Sequence, residues 1–120
     1  MKKATIRISN LALRTIIGAN EWEREKKQEI IINIVLKFDA SEAVATDSLK
    51  KTINYKKIKR RVTEVVEASQ FFLLEKLTSS IIDVIMEDDR VLKTRVKVDK
   101  PHALRFADSV SVEMEAVREG

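Results

Sequence analysis

The sequence predicts an α+β fold in which an antiparallel sheet carries two helices on one face. Two observations support this class. Apolar residues recur with a period of two near both ends of the chain and with a helical period of about 3.6 in the middle, so the predicted element order is β-β-α-α-β-β. Each helical segment has one apolar stripe, which a single sheet face can cover. A chain of 120 residues suits one compact core, and we predict a single domain over residues 1–120.

Four segments alternate with the period of strands. They are Ala4–Leu13, Glu29–Asp39, Val91–Asp99 and Ser109–Val117. The second of them is apolar on one face and also carries Ile31 and Val35 on the other. A strand that is apolar on both faces usually has something packed on each side, and a second copy of the chain is one way to supply that cover. Pro101 is predicted to lie between the last two strands, where its missing amide hydrogen does least harm.

The middle of the chain predicts two helices and two irregular connections. Tyr55–Glu67 and Phe72–Met86 have apolar residues at helical spacing, and Asn54 is a suitable N-cap for the first of them. Residues 18–28 are polar and are predicted to form a loop. Asp39–Lys51 is rich in small and polar residues and is predicted to be an irregular connector.

Composition excludes several kinds of site. No run of about 18 apolar residues is present, so we expect no membrane span, and the charged N-terminus does not resemble a secretory signal. The absence of cysteine rules out thiol chemistry and fits a reducing compartment, so we expect a cytoplasmic protein. A catalytic zinc usually has three protein ligands, and a chain with one histidine, His102, and no cysteine argues against a metal site. Gly18 is the one glycine before Gly120, which excludes a glycine-rich phosphate loop.

Four polar clusters remain as candidates for chemistry. They are residues 18–28 with Glu23 and Gln28, Ile53–Tyr55, Phe72–Leu77 with Glu75, and Asp99–Ser111 with Lys100. Each residue also has a structural explanation when it is taken alone. Glu23 belongs to an alternating charge run, Glu75 suits the first turn of a helix because of the helix dipole, and Lys100 suits a turn before proline. Spacing alone leaves the choice between structural and catalytic roles open.

In their order along the chain, these clusters resemble the dihydroneopterin aldolase and dihydroneopterin triphosphate epimerase family. The resemblance covers nearly the whole chain, from the first strand to the last. No single motif is specific. Four motifs in register, with the matching order of elements, are a strong signal. The residues that carry it are Gly18, Glu23 and Gln28 after the first strand, Tyr55 at the first helix, the Leu-Leu-Glu-x-Leu run of Leu73–Leu77, and Lys100.

The resemblance implies a tunnelling fold and a metal-free enzyme. In that family four sheets close into a tetrameric ring, two rings commonly stack into an octamer, and the active sites lie between subunits. The implied reaction is a retro-aldol cleavage in which the ring imine of a dihydropterin accepts the electron pair, so no cofactor is expected. The expected partners are a small pterin substrate and further copies of this chain, with neither nucleic acid nor a membrane.

The resemblance also implies a role for each site residue. Lys100 would shuttle a proton near the ring nitrogen, while Glu23 would orient Lys100 or a catalytic water. Tyr55, from the neighbouring subunit, would act on the side-chain hydroxyl. Glu75 would be a buried carboxylate that binds the pterin ring, assisted by backbone amides such as that of Leu74. The complete set of expected substrate-binding residues is Glu75, Leu74, Gln28, Asn54 and His102.

Two activities share this retro-aldol step, and details of the sequence favour one. A dihydroneopterin aldolase releases glycolaldehyde and 6-hydroxymethyl-7,8-dihydropterin for folate biosynthesis, whereas a dihydroneopterin triphosphate 2′-epimerase lets the fragment re-add with inversion at C2′. Lys100–Ser111 resembles the epimerase branch, while many aldolases have glycine in place of His102. Arg14 and Asn54 also resemble that branch, but Glu21–Arg24 is more similar to the aldolases. We therefore expect the epimerase, with the aldolase as the alternative.

A basic run in the first predicted helix leaves a distant alternative. A triphosphate needs cationic partners, for which Arg105, His102 and the run Lys56–Arg61 are candidates. The same run permits a nucleic-acid-binding module, since clustered cations attract the phosphate backbone. Against that alternative, the predicted strands lack the surface aromatic residues on which RNA bases stack.

Overall fold

A computed structural model describes residues 1–119 of the chain. Five strands form one sheet in the order β3-β1-β2-β4-β5. The strands are β1 (Lys3–Ile17), β2 (Gln28–Asp39), β3 (Gln70–Phe71), β4 (Val91–Pro101) and β5 (Ser109–Val117). The helices are α1 (Glu21–Glu25), α2 (Ser41–Thr46), α3 (Tyr55–Ala68) and α4 (Leu74–Ile85), with a 3₁₀ turn at Leu49–Lys51. None of the helices within residues 1–119 is long and apolar enough to cross a bilayer.

The predicted α+β class and the order of the six long elements are confirmed. The core lies between one face of the sheet and the apolar stripes of α3 and α4, as the periodicity indicates. Asn54 caps α3 as predicted, because its side-chain oxygen accepts a hydrogen bond from the Lys57 amide at 3.1 Å. The largest fully buried side chains are Ile17, Ile30, Ile32, Ile34 and Leu36 from β1 and β2, Val91 from β4, Val62 and Val66 from α3, Leu77, Ile81 and Ile85 from α4, and Ile53.

The sheet is mixed, whereas the sequence predicts a wholly antiparallel one. The difference is β3, a strand of two residues that pairs in parallel with Ile16 and Ile17 at the end of β1. Thr15 is fully buried beside it, and its hydroxyl lies 3.0 Å from the carbonyl oxygen of Ser69. This small strand is important for the site because it brings the start of α4 to the end of β1.

Both predicted connections contain short helices instead of irregular chain. In the connector predicted over Asp39–Lys51, the Asp39 carboxylate accepts hydrogen bonds from the Ser41 amide at 2.9 Å and hydroxyl at 2.6 Å, and α2 begins there. In the loop predicted over residues 18–28, Asn20 and Glu23 form a reciprocal capping box that starts α1. Local hydrogen bonds between side chains and the nearby backbone explain both differences.

Two strands, β1 and β4, extend beyond their predicted C-terminal ends, and both extensions lead into the site. A β-bulge at Asn10, whose φ of 55° is left-handed, shifts the register between Ile8 and Leu11. After the bulge, alternate residues of β1 again face the core, so the strand continues beyond the predicted end at Leu13 to Ile17. In β4 the pairing with β5 includes Lys100 and Pro101, so Lys100 lies within a strand rather than in a turn after one.

Candidate active site

The candidate site lies where three strands of the sheet end. β1 ends at Ile17, β2 begins at Gln28, and β4 passes through Lys100 before it ends. The pairing brings these ends together, because Gln28 lies opposite Thr15 and Asp99 lies opposite Ile31. The connection between β1 and β2 contains α1, and this short helix places Glu23 over the end of β4.

Glu23 and Lys100 form a buried ion pair. The Lys100 ammonium donates to Oε2 of Glu23, and the two side chains are 13% and 6% exposed respectively. The other carboxylate oxygen, Oε1, accepts a hydrogen bond from the Asn20 amide at 3.1 Å. Both oxygens of Glu23 are therefore engaged, and the ammonium group of Lys100 is held at one place.

The surroundings of Glu23 keep its carboxyl group ionised. Burial raises its pKa, but the hydrogen bond from Lys100 lowers the pKa, as do the Asn20 amide, the positive charge of Lys100 and a contact with Gln28. Together these contacts outweigh burial, and the pKa of Glu23 lies below its ordinary value. The pair thus presents an ionised carboxylate in direct contact with the Lys100 side chain.

Gly18 is required beside this pair for two reasons. Its φ of 123° is a conformation that residues with a side chain rarely adopt. A Cβ atom at this position would also collide with the Glu23 carboxylate. The match of Gly18 to the family motif therefore has a physical basis in the close approach of the backbone to the Glu23 carboxylate.

Three predicted site residues lie together, and two more lie on the adjoining helix. The side chain of Gln28 contacts the Glu23 carboxylate of the Glu23–Lys100 pair. It also donates to the carbonyl oxygen of Ile17 at 2.8 Å. Leu74 and Glu75 form the start of α4, which reaches this end of the sheet through β3. Glu75 is exposed in the single chain, in contrast to the buried anchor that we expected, because the first turn of α4 lies at the surface.

The other predicted residues lie elsewhere. Tyr55 and Asn54 are exposed at the start of α3, and Tyr55 lines an apolar cavity of about 360 Å³ together with Ala4 and Phe38. Ala4 pairs with Phe38 at the far end of the β1–β2 ladder, roughly 35 Å from Gln28 at about 3.3 Å per residue. Tyr55 therefore cannot reach Lys100 of its own chain.

His102 follows Lys100 closely but belongs to the β4–β5 connection. Its side chain is exposed and its φ is 59°, in the left-handed region that glycine adopts without strain. Its amide donates to the carbonyl oxygen of Asp108 at 3.0 Å, which closes the connection. Arg105 is exposed in the same segment, and its guanidinium lies 5.1 Å from the ring centre of Phe106.

Sequence reasoning missed two residues that build the site. Asn20 could have been found, since an asparagine three residues before a glutamate is the pattern of a capping box. Arg24 had no comparable signal, because its partners are backbone carbonyls of a distant segment. It donates to the carbonyl oxygens of Gly18 at 3.1 Å and of Phe71 at 3.0 Å, and also to that of Gln70.

The arrangement can move a proton beside a bound planar molecule. The ammonium group of Lys100 is a proton donor at a fixed position, and the adjacent start of α4 offers a carboxylate and backbone amides. Fold and site together define a class of α+β proteins with a buried acid–lysine pair at the end of a sheet, next to a helix N-terminus.

Comparison with known proteins identifies the family within this class. The sequence model of the dihydroneopterin aldolase family matches residues 6–115, and the chain belongs to that family. It is 43% identical over 109 residues to the dihydroneopterin triphosphate 2′-epimerase of Pseudomonas aeruginosa, covering 91% of this chain and 89% of the relative. It is 26% identical over 105 residues to the dihydroneopterin aldolase of Haemophilus influenzae, covering 88% and 89%.

A solved structure agrees with this assignment. The Escherichia coli dihydroneopterin aldolase, in complex with neopterin, matches with a TM-score of 0.89 at 26% identity, covering 94% of this chain and 98% of that one. The family resemblance, the fold and the enzyme class expected from the sequence are thereby confirmed.

Proposed function

We propose that the chain is a retro-aldol enzyme of pterin metabolism that acts as a dihydroneopterin triphosphate 2′-epimerase. The buried Lys100–Glu23 pair carries this proposal, in a chain that is 43% identical to an enzyme of that name. Dihydroneopterin aldolase is the second candidate, because the matching family is described by that activity. The cytoplasmic location expected from the cysteine-free composition belongs to the same proposal.

The proposed reaction breaks the C1′–C2′ bond of the substrate side chain. A base removes the proton of the 2′-hydroxyl group, and C2′ becomes the carbonyl carbon of an aldehyde. The electron pair of the broken bond moves into the ring imine and forms an enamine. An epimerase lets the aldehyde turn and re-forms the bond on its other face, whereas an aldolase releases it and protonates C1′.

Lys100 and Glu23 supply the proton transfer in this proposal. Lys100 donates a proton to the ring nitrogen as the electron pair arrives and retrieves the proton when the bond re-forms. Glu23 stays ionised and holds the ammonium group at the correct place. Gln28 supports this pair from the start of β2.

The start of α4 is the proposed binding site for the pterin ring. The carboxylate of Glu75 can accept two parallel hydrogen bonds from the 2-amino group and the adjacent ring N–H. The Leu74 amide lies in the first turn of the helix, where backbone donors have no partner within the helix. Because Glu75 is exposed in the single chain, its desolvation would come from the substrate and from a neighbouring copy.

A ring of copies would complete the site. Tyr55 lies at the opposite end of the sheet from Lys100, so one chain cannot bring them together, but two chains can. Within residues 1–119, β5 pairs only with β4 and the first half of β1 pairs only with β2, so each leaves its outer edge unpaired. Unpaired edges favour pairing between chains. We therefore propose an oligomer in which β5 meets β1 of the next copy and the partner copy supplies its tyrosine. A tetrameric ring and a stacked octamer both satisfy this arrangement.

One assay separates the two candidate activities. The purified protein is incubated separately with 7,8-dihydroneopterin and with its triphosphate, and two products are measured: glycolaldehyde, which leaves as its triphosphate when the substrate is phosphorylated, and the 2′-inverted monapterin isomer. The epimerase proposal expects inversion of the triphosphate to exceed glycolaldehyde release at least about tenfold. Predominant glycolaldehyde release identifies the aldolase, and no turnover of either compound overturns both candidates.

Replacement of Lys100 tests the assigned chemistry in the same assay. We expect Lys100→Ala to lower kcat about 100-fold or more, because a positioned proton donor is lost, while pterin binding measured by fluorescence titration stays within about fivefold. Lys97→Ala is a suitable control, since Lys97 is on the same strand and is exposed. Unchanged turnover in Lys100→Ala would contradict the assignment.

A further inference from the structure

Arg24 joins two parts of the site that are far apart in sequence. Its guanidinium donates to the Gly18 carbonyl oxygen at 3.1 Å, within the connection that carries Glu23. It also donates to the carbonyl oxygens of Phe71, at 3.0 Å, and Gln70, both in β3. The same group lies over the ring of Phe72 at 4.0 Å. Arg24 thus spans α1 on one side and the segment that leads into α4 on the other.

An arginine suits this position better than any other side chain. The guanidinium has five N–H donors in a planar fork and stays charged at any relevant pH. Three carbonyl oxygens from two segments can therefore be satisfied by one group, and its flat face remains free to stack on Phe72. A lysine would keep the charge but would have neither the planar face nor the fixed directions of the donors.

The connection between β1 and β2, which contains α1, needs an anchor such as Arg24. A helix of five residues, such as α1, is not stable by itself. Its position depends on the capping box of Asn20 and Glu23 and on contacts with the rest of the protein. Gly18 donates its amide to the Phe71 carbonyl oxygen at 3.3 Å, and Arg24 donates to the same oxygen. These contacts fix the backbone on both sides of Glu23.

From this geometry we infer that Arg24 is a positioning residue that fixes Glu23 and Lys100 relative to the start of α4. The inference rests on the proposed function, in which the pair moves the proton and α4 binds the pterin ring. Arg24 touches neither the Glu23 carboxylate nor Lys100 through any hydrogen bond within residues 1–119. Its effect on turnover therefore passes through the backbone, which sets the distance between proton donor and ring.

The test compares Arg24→Lys with a matched control, Arg14→Lys. Arg14 also donates to a backbone carbonyl oxygen near the same connection, that of Lys27 at 2.9 Å, but it makes no hydrogen bond with β3 within the described residues. We expect Arg24→Lys to lower kcat about 30-fold with KM changed by less than about threefold, because displacement by about 1 Å can slow a reaction 100-fold. Arg14→Lys should keep both constants near those of the wild type.

Amide hydrogen exchange in the ligand-free protein gives a second readout that does not depend on turnover. We expect the Gly18 and Glu23 amides to exchange about tenfold faster in Arg24→Lys than in the wild type, since opening of this connection becomes easier, and to be unchanged in Arg14→Lys. Wild-type exchange at both amides in Arg24→Lys would overturn the inference, whatever happens to turnover. A wild-type protein without turnover would overturn the proposed function, while the exchange comparison would still decide the positioning role.

Discussion

Glu23 is the residue whose environment differs most from what its sequence context indicates. It belongs to a run of charged residues in a polar connection, yet its side chain is only 6% exposed and contacts Lys100 and the Asn20 amide. Removing one member of a buried pair leaves the other charge without compensation, which is costly. The two residues therefore depend on each other for stability as well as for the proposed chemistry.

This dependence gives an expected change of stability with pH. The folded protein lowers the pKa of Glu23 below 4.5, so folding favours the ionised form. The resulting stability is fully present above pH 4.5 and is lost as the pH falls through the lower pKa of the folded state. We expect Glu23→Gln to reduce the free energy of unfolding by roughly 1–3 kcal/mol at neutral pH, and the deficit to shrink in acid.

Urea denaturation of the wild type and Glu23→Gln over a series of pH values measures this deficit. Glu25→Gln is the matched control, because Glu25 is an exposed glutamate of the same short helix, and its deficit should stay near zero throughout. A deficit for Glu23→Gln that is constant from neutral pH down into acid would show that ionisation of Glu23 does not contribute to stability.

At the scale of single elements, short segments place the site residues. The helix α1 and the strand β3 have five and two residues, and neither is stable alone. They form because the long strands and helices around them offer partners, such as the end of β1 for β3. Elements of this kind have little hydrophobic periodicity, which is why the sequence predicts a loop at α1 and nothing at β3.

The helix α3 is different, since its beginning is decided locally. Asn54 accepts a hydrogen bond from the Lys57 amide at 3.1 Å, so Asn54→Ala should lower the free energy of unfolding by about 1 kcal/mol. Thermal or urea denaturation measures this loss. Asn54→Ser keeps a capping oxygen and should retain nearly all of the stability.

The same pair of variants separates capping from the predicted substrate contact of Asn54. If Asn54 also binds substrate, Asn54→Ser should raise KM while stability stays near that of the wild type. Equal stability losses in the alanine and serine variants would contradict the capping role.

At the scale of the whole molecule, the two halves of the proposed site lie at opposite ends of the sheet. Lys100 and Glu23 lie beside the end of β1, whereas Tyr55 lies near its beginning.

Mixing two inactive variants tests whether the site is shared. Lys100→Ala and Tyr55→Ala are each expected to be nearly inactive. If every site takes Lys100 from one copy and Tyr55 from the next, random assembly of equal amounts restores about a quarter of the wild-type sites. The activity of co-expressed variants measures this fraction, and each variant expressed alone is the control. No recovery in a mixed oligomer would place both residues of a site in one chain.

The sequence by itself determined the class of fold, the long elements and the family. Apolar periodicity decides those elements because each must bury one face. The sequence predicted the N-cap of α3 correctly, and it predicted both ends of β5 correctly. The order of the four motifs along the chain selected Glu23, Gln28 and Lys100 as candidate site residues. It did not reveal that their side chains would be in contact.

Only the tertiary structure decided how these residues meet. It brought Glu23 and Lys100 into one buried pair, placed α4 beside them through β3, and recruited Arg24 to join the two segments. It also separated Tyr55 from Lys100 by most of the length of the sheet. The physical reason is that pairing, burial and hydrogen bonds between distant segments depend on the register of strands, and no local pattern of residues encodes that register.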